Sequence, residues 1–404
     1  MKRNVDYKLF FTVLFLIIFG MIMISSVSVY SSFRVTNIMA QSGLIEKAYN
    51  YFYVLRNIGH VIISLIGLGI IVKVKYTFFE KYYKQILGFA ITLLIIVLFL
   101  GATYKGARGW ISIPGVPFNI QPTEFLKLSL IIFFAAFLKK YKGRLQDFKK
   151  GYMPFMAFLG FVVLLVGLQP DFGTIMVIVP VSIIMYFYAG MNAKHLLITM
   201  ILGFFMIIGI YSAGDYDKET GKNLNTLGYI TQRIDNFFAD NEEAINNKTI
   251  NYQTEQALIA IGSGGFSGLG FGGSIQKFGY LPEVQGDFIF SVIIEELGFI
   301  GGLILMSLYI YIGYRGFYIA SRVSDLFAQY VSVGISSRIL IQAFINIGVN
   351  LNIVPLTGIT LPFISYGGSS LLSLVFGLAI LLNISRYVDD KKQFNRVNRK
   401  KFMF

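Results

Sequence analysis

The chain of 404 residues has no cysteine, two histidines, one tryptophan and nine prolines, and only 14% of it is charged. Without cysteine there is no disulfide and no thiolate-held metal. His60 and His195 lie far apart in sequence, so a histidine-rich zinc site is excluded as well. Scarce charge goes with 55% apolar residues, more than a soluble domain needs. Apolar stretches of about 20 residues recur along the chain, the number required to cross a roughly 30 Å hydrocarbon layer. Composition therefore predicts an all-α, polytopic membrane protein.

Ten membrane helices are expected at about residues 9–30, 54–72, 86–103, 123–138, 153–168, 172–189, 195–212, 288–313, 328–351 and 366–386. The first run is long for a signal-peptide core and more spans follow, so it reads as the first span. If the N-terminus is cytoplasmic, "KVKYTFFEKYYK", "KKYKGRLQDFKK" and the basic tail at about 387–404 all fall inside. That asymmetry obeys the positive-inside rule and puts both termini in the cytoplasm. The net charge of +14 is then a signal of topology and anionic lipid, with no need of nucleic acid. The long polar segment at about 213–287, between the seventh and eighth spans, becomes extracellular. Within it, "LGYITQRIDNFF" has apolar spacing suited to a short helix on the membrane surface. No repeat or second domain is evident, so residues 1–404 read as one membrane domain.

The polar motifs each carry a structural and a functional reading. Trp110, beside Lys105 and Arg108, is either an interfacial anchor with a snorkelling base or part of a site. Glu124 and Lys127 are three apart, hence neighbours on one helical face at the mouth of a span that Pro122 opens. They can simply neutralise each other, yet ionisable groups within the membrane default to function. Asp171 in "GLQPDFGT" suits a helix cap. The glycine-rich "GSGGFSGLGFGGSIQK" permits either a phosphate cradle completed by Lys277 or close backbone packing, and it is not a P-loop. In "LPEVQGDFIFSVIIEELGFIGG", Asp287, Ser291 and Glu295 follow i, i+4, i+8 and predict one helical face. Asp287 would stand at the outer rim with Glu295 roughly 12 Å deeper. Glu295 and Glu296 must be neutral or paired, with Arg338 a candidate partner. The segment "INIGVNLNIVPLTGITLPFISYGGSS" offers Asn346, Asn350, Asn352, Ser365, Ser369 and Ser370 to a polar cavity or to helix packing.

Together, "GARGWI…QPTEFLKL", "QPDFGT", "AIGSGGFSGLGFGGSIQKFGYLPEVQGDFIFSVIIEELGFIG" and "LTGITLPFISYGGSS" resemble the SEDS proteins, the FtsW/RodA/SpoVE group. The resemblance runs in order over nearly the whole chain, and "SIQKFGYLPE" with "QRIDNF" upstream is closer to FtsW than to RodA. It implies a ten-span peptidoglycan glycosyltransferase of the cell membrane that polymerises lipid II at the outer face, for septal wall synthesis or, as the alternative, RodA-like elongation. A class B penicillin-binding protein would supply the transpeptidase, beside other division or elongation proteins. The family's essential aspartate falls on Asp287, its tryptophan on Trp110, and its Glu–Lys pair on Glu124 and Lys127. Gln285 and Gly286 stand where the family often has His-Thr or His-Asn, and Gly109 where it often has Arg.

In such an enzyme Asp287 is the expected general base toward the acceptor hydroxyl. The leaving diphosphate needs positive charge. Arg108, Lys127 and Lys277 are the candidate cations, with a divalent ion (Mg or Mn) as the alternative and its ligands unassigned. Trp110, Glu124 and Ser369 complete the candidate substrate-binding set. Two other classes remain open on sequence grounds. One is a lipid-precursor flippase, since transporters also use broken helices and intramembrane carboxylates; the other is a scaffold that recruits a synthase.

Overall fold

A computed structural model describes residues 5–104, 107–111, 119–217, 224–225, 227–238 and 250–388. The basic tail beyond residue 388 lies outside the described residues. All ten expected spans form: α1 (Tyr7–Val27), α3 (Phe52–Ile71), α5 (Tyr83–Leu100), α6 (Pro122–Lys140), α7 (Met153–Gly167), α8 (Phe172–Tyr188), α9 (Ala193–Ala213), α12 (Ile289–Arg322), α13 (Leu326–Asn350) and α14 (Gly368–Ser385). Among the described residues, eight helical segments are long and apolar enough to cross a membrane outright. α8 is shorter, and α6 carries Glu124, Lys127, Lys139 and Lys140. Shorter helices α2 (Val29–Gln41), α4 (Tyr76–Lys81), α10 (Gly228–Phe238) and α11 (Ile250–Gly264) join the spans. The protein is a multi-pass membrane protein.

Helix starts follow local chemistry. Asp6, Asp171 and Asp325 accept backbone N–H groups at the first turns of α1, α8 and α13, satisfying donors that a helix end leaves orphaned. Pro122 opens α6, where its missing N–H costs nothing. α13 and α14 are almost wholly buried and form the centre, with α6, α8 and α12 against α13 and with α3 against α14. α9 is the opposite case, touching mainly α10 and presenting most of its length outward.

At one end of the bundle Lys139 bridges Glu80 and Asp325 (2.6 and 2.8 Å), and Arg315 holds Asp6 at 2.6 Å. The starts of α3, α6, α8, α12 and α14 and the end of α13 gather at the other end, together with most of the singled-out polar residues. There the segment after α5 forms a two-stranded hairpin, β1 (Ala102–Tyr104) and β2 (Ala107–Trp110), extended by an Ile111–Ile120 bridge. Trp110 and Ile111, one aromatic and one β-branched, suit a strand.

The glycine-rich segment is structural. α12 is broken at Gly298, whose φ is 70°. Across the break, Leu269 and Gly270 donate to the carbonyls of Glu295 and Glu296, while Phe299 and Ile300 donate to those of Gly265 and Phe266. A loop backbone thus splices into the interrupted helix and satisfies groups that would otherwise be stranded in an apolar interior. Such contact demands glycine: a Cβ at Gly268 would stand 2.2 Å from the Glu296 carbonyl, at a φ of +81°. Gly268→Ala should cost about 3 kcal/mol, and Gly270→Ala, which meets open space, about 1 kcal/mol. Thermal unfolding in detergent checks the contrast.

Candidate active site

Asp287 is partly exposed at the polar end, in a turn two residues before α12 begins. The expected single helical face through Asp287, Ser291 and Glu295 is therefore corrected. Pro282, Glu283 in the left-handed region (φ 56°) and Gly286 keep this stretch in a turn, and side chains from other elements hold it there. Asn346 and Asn350 donate to the Asp287 carbonyl at 2.8 and 2.9 Å, and Ser365 donates to the Gly286 carbonyl at 2.7 Å. Asn350 also accepts from the backbone N–H and hydroxyl of Ser291. The carboxylate backs onto Gly358, where a Cβ would come within 3.7 Å of Oδ2. The backbone carbonyls of Gly286 and Asp287 anchor the turn.

These asparagines belong to a stripe. Arg338, Gln342, Asn346 and Asn350 recur every fourth residue on one face of α13, spanning about 18 Å. Gln342 donates to the Thr360 carbonyl at 3.2 Å. Arg338 donates to Ser373 (3.0 Å) and to Glu124 (3.0 Å), and Glu124 also holds Lys127 at 2.7 Å. Glu124, Lys127 and Arg338 are all buried, so two cations share one carboxylate. A cavity of about 10 Å³ lies beside them, lined by Lys127, Ser182 and Arg338 with apolar residues of α6 and α8, the size of one water. Arg338 thus serves Glu124, in place of the expected Glu295 or Glu296.

The two glutamates are served locally. Glu296 pairs with Lys277 at 2.8 Å, and Ser26 of α1 donates to the same oxygen. Glu295 accepts from Ser274 and from the backbone N–H groups of Ile275 and Gln276. Lys277 spends its three donors on Glu296, Ser26 and the Gly272 carbonyl and is buried. That corrects its assignment to a diphosphate: an ammonium so engaged holds the loop in the break of α12. Ser369 is likewise occupied, donating to the Asn119 carbonyl at 2.9 Å and accepting from Gln121 N–H at 3.1 Å, which ties α14 to the start of α6. Trp110 ends β2, half-buried. The side chain of Arg108 and all of Lys105 lie outside the described residues. Among the described residues no three His, Asp or Glu side chains come together as a metal site, so no protein-built cation site is assigned.

Arg233 was not singled out from sequence. It rises from α10, the helix expected from "LGYITQRIDNFF", stacks over Tyr229 at 4.2 Å and donates to the Leu356 carbonyl. Burial pulls its pKa below the ordinary arginine value, and the fields of Tyr229, Asp287 and Asp171 oppose this. The field of Asp171 also reaches Lys127. Besides capping α8 through Thr174 (2.9 Å), Asp171 contributes to the field at both Lys127 and Arg233. Only tertiary packing reveals this, because Arg233 is more than 50 residues from Asp287 in sequence. Arg233→Met should loosen α10, speeding hydrogen exchange of its amides about tenfold or more while α13 stays protected.

Residues 7–390 match the family of FtsW/RodA/SpoVE cell cycle proteins. The chain belongs to this family. Among relatives, the stage V sporulation protein E of Bacillus subtilis is 35% identical over 389 residues, covering 96% of this chain and 98% of that protein. The probable peptidoglycan glycosyltransferase FtsW of the same organism is 35% identical over 398 residues, covering 97% and 94%. Two solved structures share the fold. One is a chain of a peptidoglycan synthase complex that coordinates polymerization and crosslinking, with TM-score 0.73, 23% identity and coverage of 96% and 99%. The other is the rod shape determining protein RodA of Thermus thermophilus, with TM-score 0.63, 24% identity and coverage of 95% and 98%.

Proposed function

We propose that this chain is a peptidoglycan glycosyltransferase that polymerises lipid II at the outer face of the cytoplasmic membrane, with Asp287 as general base. Family membership and full-length relatives named for that activity support the chemistry. The observation that carries the residue assignment is a partly exposed carboxylate in a turn at the polar end, in the field of the half-buried Arg233. Asp287 takes the proton from the acceptor sugar hydroxyl as that oxygen attacks the anomeric carbon of the donor. The bond to the lipid diphosphate breaks with inversion, and the diphosphate leaves with the electron pair. Arg233, which feels the charge of Asp287, and Lys127 of the Glu124 pair are assigned to the developing negative charge. Trp110 and Arg108 complete the substrate set, and Glu124 orients Lys127.

The charge asymmetry supports cytoplasmic termini and an outer position for the 213–287 segment. A septal role with a class B penicillin-binding protein as transpeptidase is the reading that the FtsW-named relatives favour; elongation is the alternative. The break in α12 is closed by the 265–270 backbone, which argues for a scaffold role of the break over a transporter's ion site. Purified protein with its transpeptidase partner in detergent, given labelled lipid II, should yield glycan strands resolved on a gel. Detergent offers no second compartment, so lipid II translocation in vesicles without polymer in detergent would overturn the proposal in favour of the flippase.

A further inference from the structure

We propose that an aromatic row at the polar end of the bundle is a binding track for the growing polysaccharide strand. The inference rests on the reading of this chain as a glycan polymerase. Ring centroids follow one another from Tyr51 to Tyr49 (4.6 Å), Phe52 (6.5 Å), Tyr53 (5.4 Å), Tyr366 (5.0 Å) and His60 (5.5 Å). The row ends against the site, because Tyr366 N–H donates to the Gln285 carbonyl at 2.8 Å, two residues before Asp287. Its outer end is open: Tyr51 is 50% exposed.

The backbone under the row is held by two buried hydroxyls of α2. Thr36 and Ser32 of α2 are fully buried. Thr36 accepts from Tyr49 N–H at 2.9 Å and donates to the Tyr49 carbonyl at 2.6 Å. Ser32 accepts from Tyr53 N–H at 3.3 Å. The backbone is therefore pinned on both sides of Tyr51 and Phe52, and Arg56 lies over the Phe52 ring at 4.4 Å.

Rings and phenols at this spacing suit an amino-sugar polymer. The C–H faces of pyranose rings pack on aromatic faces, while phenol hydroxyls meet sugar hydroxyls and amides. An exposed guanidinium adds a partner for the carboxylates that such strands carry. An interfacial anchoring belt is the competing explanation. A belt needs neither pinned backbones nor a row that turns inward to the catalytic turn, and this one has both. A polymerase that keeps hold of its product between additions makes long strands, and the track supplies that hold.

The test is strand length per lipid II consumed, using labelled lipid II and the full chain with its transpeptidase partner. Tyr51→Ala should shorten mean strand length about threefold to tenfold, the range expected for losing one aromatic contact. Tyr51→Phe should keep most of the length. Phe205→Ala, which removes an exposed ring from α9, should leave length unchanged. Wild-type strand length in Tyr51→Ala, or equal shortening in Phe205→Ala, overturns the track. A wild-type protein that makes no glycan at all overturns the polymerase reading instead, so the two failures are distinguishable.

Discussion

Asp287→Ala is expected to abolish detectable glycan synthesis, a fall of about 10² to 10⁴-fold if the carboxylate is the general base, while the protein stays folded and inserted in the membrane. The second half follows from the hydrogen bonds. Asn346 and Asn350 hold the Asp287 carbonyl, and Ser365 holds the Gly286 carbonyl, and none of these needs the carboxylate. Asp287→Asn should fail as fully as alanine, because the amide keeps the shape but accepts no proton at neutral pH. Strand synthesis from lipid II, measured beside a thermal melt on the same preparation, reads both outcomes. Residual activity near wild type in either variant would remove Asp287 from the chemistry. Lost activity with a lowered melting temperature would instead make it structural.

Glu124→Gln should have the largest effect on stability, about 3 to 5 kcal/mol. Glu124 lies between Lys127 at 2.7 Å and Arg338 at 3.0 Å, all three buried. Neutralising it strands two cations in an apolar bundle, and one partner removed from a buried pair leaves an uncompensated charge. Arg338→Met is different. It leaves Glu124 with Lys127, a neutral pair, and replaces a buried guanidinium with an apolar chain of similar length. Its cost should stay within about 1 kcal/mol. Because the residues share one network, the double variant should cost less than the sum of the singles. Thermal unfolding of the three variants in one detergent tests the ranking, and equal melting temperatures for Glu124→Gln and Arg338→Met would contradict it.

The contrast between Lys127 and Lys277 shows what kind of inference sequence permits. Both lysines stand near carboxylates in apolar surroundings, and both were candidates for a diphosphate. The partner of Lys127 is three residues away on the same helical face, so their contact follows from helix geometry alone. The partners of Lys277 come from α1, α12 and its own loop, and nothing in local spacing announces them. The stripe on α13 is an intermediate case. Its period of four is written in the sequence, but which groups Gln342, Asn346 and Asn350 would serve is not.

The sequence by itself determined the spans, the helix starts at Asp171 and Pro122, the helix in "LGYITQRIDNFF" and the family. Each depends on a run of neighbours: apolar length against a membrane, a side chain capping its own helix, or a motif read in order. Tertiary structure alone decided that Asp287 sits in a turn before α12 and that the glycine-rich loop fills the break at Gly298. It also decided that Arg338 pairs with Glu124 and that Arg233 reaches the Asp287 carboxylate through its field. These contacts join residues distant along the chain, and buried polar groups take whichever partner packing delivers, since leaving them unpaired costs more than any local preference can offset.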